Sequence, residues 1–302
     1  MGGTCRRTSN LQTPEVKIIM AKTKASKTKG VRIFPPPPKG FDVLAATKRD
    51  LVRHGIPQRP DPRREPSVAA LWERLARRYQ GFEHLKPQLL PGVTATEPVA
   101  SLFGLSPLES CGFELFNSSG PIAIFSGTWT IPNLNNTPNA GLPNDFRTFF
   151  GLGFLDLHVE MTVDVNQNIT SVIRIHTGDE INLPVKPGDA ISATLCLQTN
   201  PAGTAFYGIA NETTSQTVNL TIDTGFPPAF TINAGISRGS QFNPFGALAR
   251  FGVVYFDELA AFTPNGNRFL TNGTPTTMTD SNGSTLATPQ RISDFAFKVI
   301  RQ

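Results

Sequence analysis

The chain has 302 residues, with 22 Phe against two Trp and three Tyr, and with 26 Gly and 26 Pro. Charged residues make up only 17%, below the usual level of roughly a quarter, and with so many breakers this excludes coiled coil, collagen, wholesale disorder and a helix-dominated fold. No apolar run approaches the roughly 18–20 residues of a membrane span, and Cys5, Cys111 and Cys196 fit neither a metal spacing nor a disulfide framework.

The net charge of +5 divides unevenly along the chain. Residues 1–90 hold 19 basic and 7 acidic residues, a balance of +12, while the rest hold 9 and 16, a balance of −7. A polyanion contact is therefore expected only of the N-terminal part, through residues 1–39.

Residues 1–40 read as a basic flexible arm. Lys22, Lys24, Lys27 and Lys29 alternate with Ala, Ser and Thr and have nothing apolar to bury. Pro35 to Pro38 form a stiff spacer. No apolar signal-peptide region is visible at the N-terminus, so a cytoplasmic location is the default expectation, and Met20 is an alternative start to Met1.

Residues 41–91 read as a short helical segment. A helix over 44–54 stops at Gly55 with Pro57 just beyond. A second begins near Pro66, where Val68, Leu71, Trp72, Leu75 and Tyr79 share one helical face and Arg74, Arg77 and Arg78 the other. Gly81 ends it.

From about residue 112 to 302 the apolar period changes from 3.6 to 2. Val159, Met161, Val163 and Val165 alternate with polar residues, as do Ile191, Ala193, Leu195 and Leu197, then Val218, Leu220 and Ile222, then Phe295, Phe297 and Val299. Turn sequences such as Pro187-Gly188-Asp189 and Asn282-Gly283 separate them. The pattern predicts an all-β domain, a two-sheet antiparallel β-sandwich.

Several stretches of this region resemble the peptidase G1 family, the glutamic peptidases or eqolisins. Gly127-Thr128-Trp129-Thr130-Ile131-Pro132 is similar to that family's G-T-W/F-T-V-P strand, and Phe150-Gly151-Leu152-Gly153 to its W-V-G-I-D-G. Val185 to Ala193 resembles V-x-P-G-D-x-I-S-A, and Ile209-Ala210-Asn211-Glu212-Thr213-Thr214 resembles V-x-N-x-T-T. Met278 to Ser284, then Leu286 to Pro289, is close to the C-terminal tail of bacterial members, and Gly40 to Asp61 with Ala70-Leu71-Trp72 to the extension that precedes the domain in some of them. The resemblance implies an eqolisin-like, concanavalin-like sandwich. One concave face would form a substrate groove, with a Glu as general base and a Gln beside it for the oxyanion.

The dyad itself is not matched. The Gln strand falls on Leu157-His158-Val159-Glu160, which puts His158 or Glu160 at the Gln position. A groove Glu becomes Arg174, in Val172 to Thr177. The strand of the catalytic Glu falls on Ala229 to Ala234, or on a register ending at Arg238, and no carboxylate occurs between Asp223 and Asp257. The family-equivalent positions are thus His158, Glu160, Arg174, Ala234 and Arg238, with no confident catalytic residue among them. His158, Glu160, Arg174 and His176 are the expected binding residues, on the polar faces of two neighbouring strands. The same four are also what an ordinary solvated strand face with incidental charge pairs looks like. A metal at His158 and His176 lacks a third ligand, and no cofactor is expected.

Three functions remain open. The first is a pseudoenzyme, a non-proteolytic binding or structural protein whose groove takes a peptide, glycan or anionic small molecule. The second is an active acid endopeptidase with a substituted dyad. The third is a capsid-like sandwich whose basic arm binds RNA.

Overall fold

The computed structural model describes residues 30–90, 104–137, 143–199, 202–239, 246–263 and 266–302. Among these, two α-helices precede a sandwich of two large sheets. The helices are α1 (Lys48–Arg53) and α2 (Pro66–Arg78). The strands up to the middle of the chain are β1 (Val31–Arg32), β2 (Glu83–His84), β3 (Leu89–Leu90), β4 (Ser110–Phe116), β5 (Ile124–Thr130), β6 (Asn144–Leu152), β7 (Leu155–Val163), β8 (Ile169–Ile175) and β9 (Glu180–Ile181). There follow β10 (Ala190–Thr199), β11 (Ala202–Asn211), β12 (Gln216–Asp223), β13 (Thr231–Arg238), β14 (Val253–Thr263), β15 (Gly266–Arg268), β16 (Thr274–Thr276), β17 (Met278–Thr279), β18 (Thr285–Arg291) and β19 (Phe297–Arg301).

One sheet runs β1-β12-β11-β10-β5-β14-β19-β18-β17, with β15 on β14 and β2 on β12. The other runs β16-β4-β13-β6-β7-β8-β9-β3. All pairings are antiparallel except that of β2 with β12. The expected sandwich is therefore present, and its interior is filled by the apolar half of each alternating strand. Val159, Met161 and Val163 of β7, Leu195 of β10 and Val218 and Leu220 of β12 are all fully buried. Phe125 and Trp129 of β5 stack on Phe150 of β6 across the two sheets, and the Trp129 indole donates to Thr148 Oγ1 at 2.9 Å. Two details differ from the sequence pattern. Val165 lies beyond β7 in an exposed turn, where Asp164 Oδ1 accepts from the backbone N–H of Asn166 and Asn168. Phe295 precedes β19 and is exposed. In both, the alternation outruns the ladder that gives it meaning.

The stretches that resemble the family hold the scaffold together. Asp189, in the turn entering β10, and Asn211, ending β11, meet through Asn211 Nδ2 and Asp189 Oδ2 at 2.7 Å. Asn211 also donates to the Pro184 carbonyl, and its Oδ1 accepts from the backbone N–H of Thr213 and Thr214. One buried pair thus fixes two turns.

Residues 30–90 form a strap. From residue 30 onward the chain makes specific contacts. β1 pairs with the edge strand β12, Arg32 meets Asp223 at 3.0 Å, and the Pro35 carbonyl contacts His54 Nδ1 at 2.9 Å. The basic arm over residues 1–29 lies outside the described residues. The helices close on their own small core of Val43, Leu51, Ile56, Trp72 and Ala76. From α2, Arg78 reaches both Glu212 and Glu258, and the adjoining Tyr79 hydroxyl meets Ser192 Oγ at 2.6 Å. Glu258 is offered to Arg78 by a bulge in β14, where the register shifts between Asp257 and Ala260 and Glu258 takes a positive φ of 54°. The strap then adds β2 to β12 and ends as β3 on β9, at an edge of the second sheet.

Candidate functional site

Alternation along β13, β6, β7 and β8 sends every second side chain to the face of the second sheet that points away from the sandwich interior. The register lines these up in rows. Asn233 of β13, Gly151 of β6 and Asp156 of β7 form one row. The next holds Gly235, Phe149, His158 and Arg174, with Glu180 of β9 beyond. A third holds Ser237, Arg147, Glu160 and Val172. Although these residues face outward from the sandwich, Arg147, Phe149, His158 and Asn233 are all buried. The face is therefore recessed.

Glycine shapes it. A Cβ on Gly151 would lie 2.5 Å from Asn233 Oδ1, so the Asn233 amide extends over Gly151 towards the β7 side. A Cβ on Gly235 would meet the Cys111 carbonyl oxygen at 2.2 Å and the Phe149 ring at 2.9 Å. Gly151 of β6 and Gly235 of β13 therefore give room to an amide and to an aromatic ring respectively.

The charged groups are unequally matched. Glu160 Oε2 accepts from Arg174 Nε at 2.9 Å, with side chains only 14% and 17% exposed. Arg174 also donates to the Gly178 carbonyl and lies 3.9 Å from Glu180. Asp156 Oδ2 is 3.4 Å from His158 Nδ1, whereas Asp156 Oδ1 is buried without a hydrogen-bond partner. Arg147 is the least satisfied: its Nε and Nη2 are buried and make no hydrogen bond. Burial lowers its pKa, against the pull of Glu160, Asp145 and Asp156, but an arginine so placed is still a cation near neutrality.

The expected site residues thus separate into two groups. His158, Glu160 and Arg174 share the recessed face. Ala234 does not: it alternates with Asn233 and Gly235, turns between the sheets opposite Phe113 and Phe150, and is fully buried. Arg238 has the same parity at the strand end and donates from Nε to the Leu108 carbonyl at 2.6 Å. His176 also leaves the face. β8 stops at Ile175, and the turn swings the imidazole towards the other sheet, where Nδ1 contacts the Tyr207 hydroxyl at 2.8 Å and the ring packs on Tyr207 and Phe226. Burial there lowers the His176 pKa, with Asp156 and Asp179 opposing, and burial raises that of Tyr207 well above the ordinary value.

Sequence reading missed Arg147, Phe149, Asp156 and Asn233. The available signal for Asn233 was the alternation Ile232, Ala234, Ile236, which already assigns Ala234 to the interior. Among the described residues, no group of three or more His, Cys, Asp or Glu is placed to hold a metal.

The family model described as the Peptidase A4 family matches residues 109–299. Among solved structures, the fold is similar to scytalido-glutamic peptidase crystallised with a peptide-based transition-state analogue, at 12% identity and a TM-score of 0.50, covering 65% of this chain and 98% of that one. It is equally similar to SCP-B, described as an eqolisin in complex with the tripeptide Ala-Ile-His, at 13% identity, a TM-score of 0.50 and the same coverage. No curated protein matches the chain.

Proposed function

Since the chain belongs to the Peptidase A4 family, the G1 or eqolisin peptidases, we propose that its recessed face receives an extended peptide and holds it without cleaving it. The observation that carries this reading is the composition of β13. Its four residues of outward parity are Thr231, Asn233, Gly235 and Ser237, and none can take a proton from water at acidic pH. On β7, beyond β6, Glu160 is tied to Arg174. That bond occupies Glu160 Oε2, the oxygen that would otherwise take a proton from water. What remains is a trough with a buried aromatic ring, a free amide and fixed charges, which suits binding.

A second reading has one specific observation in its favour. Asn233 and Asp156 oppose each other across the side-chain-free Gly151. They put an amide on β13 and a carboxylate on β7, whereas the family resemblance implies a carboxylate on the former strand and an amide on the latter. An exchanged pair of this kind would keep a base and an oxyanion donor.

The test is the full chain incubated with an acid-denatured protein substrate between about pH 2 and 6, where carboxyl groups titrate, beside Asp156→Asn and Glu160→Ala. We expect no cleavage by any of the three. Cleavage lost only in Asp156→Asn would establish the exchanged pair, and cleavage lost only in Glu160→Ala would make Glu160 the base.

A further inference from the structure

We propose that Arg147 is a carboxylate-binding subsite within the recessed face. The inference rests on the peptide-binding reading and specifies what the peptide must carry.

The argument begins with what an arginine needs. A guanidinium has five N–H donors, and burying it without acceptors is unfavourable, so buried arginines are ordinarily paired. Arg147 is only 8% exposed, yet Nε and Nη2 have no partner. These two nitrogens share one edge of the planar fork, the edge that grips a carboxylate through two parallel N–H···O bonds. The unpaired part of the side chain is thus a complete two-point donor, covered by neighbouring atoms that an incoming carboxylate displaces.

Among the described residues three carboxylates lie close to Arg147, and none bonds to its Nε or Nη2. Glu160, directly opposite Arg147 in the β6–β7 register, accepts from Arg174. Asp145, two residues back along β6, accepts from Thr162 Oγ1 at 2.7 Å. Asp156 faces His158. These carboxylates keep Arg147 charged without occupying its donor edge. Arg147 also lies in the row beside Phe149 and His158, so an acidic group bound to it would belong to a chain lying across the same face.

Two sources present this chemistry, a C-terminal carboxylate and an Asp or Glu side chain, and the experiment separates them. Three acetylated five-residue alanine peptides serve as probes: one with a free C-terminus, one amidated, and one amidated with a central Glu. Binding to the full chain is measured by calorimetry near pH 6.5, and the Arg147 Nε–H resonance is followed by NMR during titration with propionate. We expect propionate to shift that resonance. At least one acid-bearing peptide should bind about tenfold more tightly than the neutral amide, as a charge-assisted two-point contact requires, and Arg147→Gln should abolish the preference. Arg147→Lys keeps the charge but not the fork, should retain only part of the preference, and serves as well if the Gln variant fails to fold. A preference confined to the free C-terminus, or to the Glu peptide, identifies the source. Equal binding of all three peptides with no response to propionate overturns the carboxylate site and leaves the peptide reading standing. A propionate response with no peptide bound does the reverse.

Discussion

An unsatisfied buried cation should weaken the fold that holds it. Replacing Arg147 by Met keeps the length and most of the volume of the side chain and removes the charge. The two partnerless nitrogens each represent about 1–3 kcal/mol of unrecovered desolvation. The attraction of Glu160, Asp145 and Asp156 offsets part of this, but burial is the larger influence on Arg147. The expected result is therefore a gain of about 1–2 kcal/mol, or roughly 4 °C in Tm for a domain of this size. Because an arginine remains charged well above neutrality even when burial lowers its pKa, the gain should be the same at every pH from about 6 to 9. Urea titration followed by tryptophan fluorescence measures it, and Trp129, buried against Phe150, is the natural reporter. A loss of more than about 1 kcal/mol would refute the reasoning, since it would mean that the guanidinium has a partner on which the sandwich depends.

Two further outcomes concern the scaffold. Gly235→Ala should destabilise the protein by about 3 kcal/mol in the same titration, because its Cβ would fall 2.2 Å from the Cys111 carbonyl oxygen and 2.8 Å from Gly112 Cα, both backbone atoms that cannot withdraw. Burial, with a smaller contribution from His54, pushes His84 down to about 4. The unfolded chain takes up that proton first, so the stabilisation is full above about pH 6.5 and is lost as the pH falls towards 4, by about 2 kcal/mol after allowance for partial exposure. The protection factors of the Glu83 and Leu85 amides, which bond to the Ser215 and Thr217 carbonyls, should fall over that range once the pH dependence of intrinsic exchange is divided out, and His84→Gln should remove the dependence.

The sandwich was legible because its interior is written in period 2, and α2 because five apolar residues share one helical face. The recessed face was less legible, for two reasons. Motif matching aligned Ala234 with a catalytic position, while the alternation of β13 placed it inside; the alternation was the better guide because it reports a physical constraint on that strand. His176 was assigned to the face by extending a strand that ends one residue earlier, at Ile175. Arg147 gave almost no signal, since a single arginine between Phe146 and Phe149 looks like any strand residue until its lack of partners is seen. The family-like turns held together by Asp189 and Asn211 were recognisable for a related reason. They are local hydrogen-bonded units whose residues cannot be exchanged freely, and they lie in the sheet opposite the site.

The strap also imposes an order on synthesis. Arg32 and Asp223 are 191 residues apart, and β1 and β2 both lie along β12. At translation rates of roughly 5–20 residues per second, the N-terminal segment leaves the ribosome some 10–40 s before the strand it docks against exists. The small core around Leu51 and Trp72 is built from residues within the strap alone, so its contacts do not wait for β12.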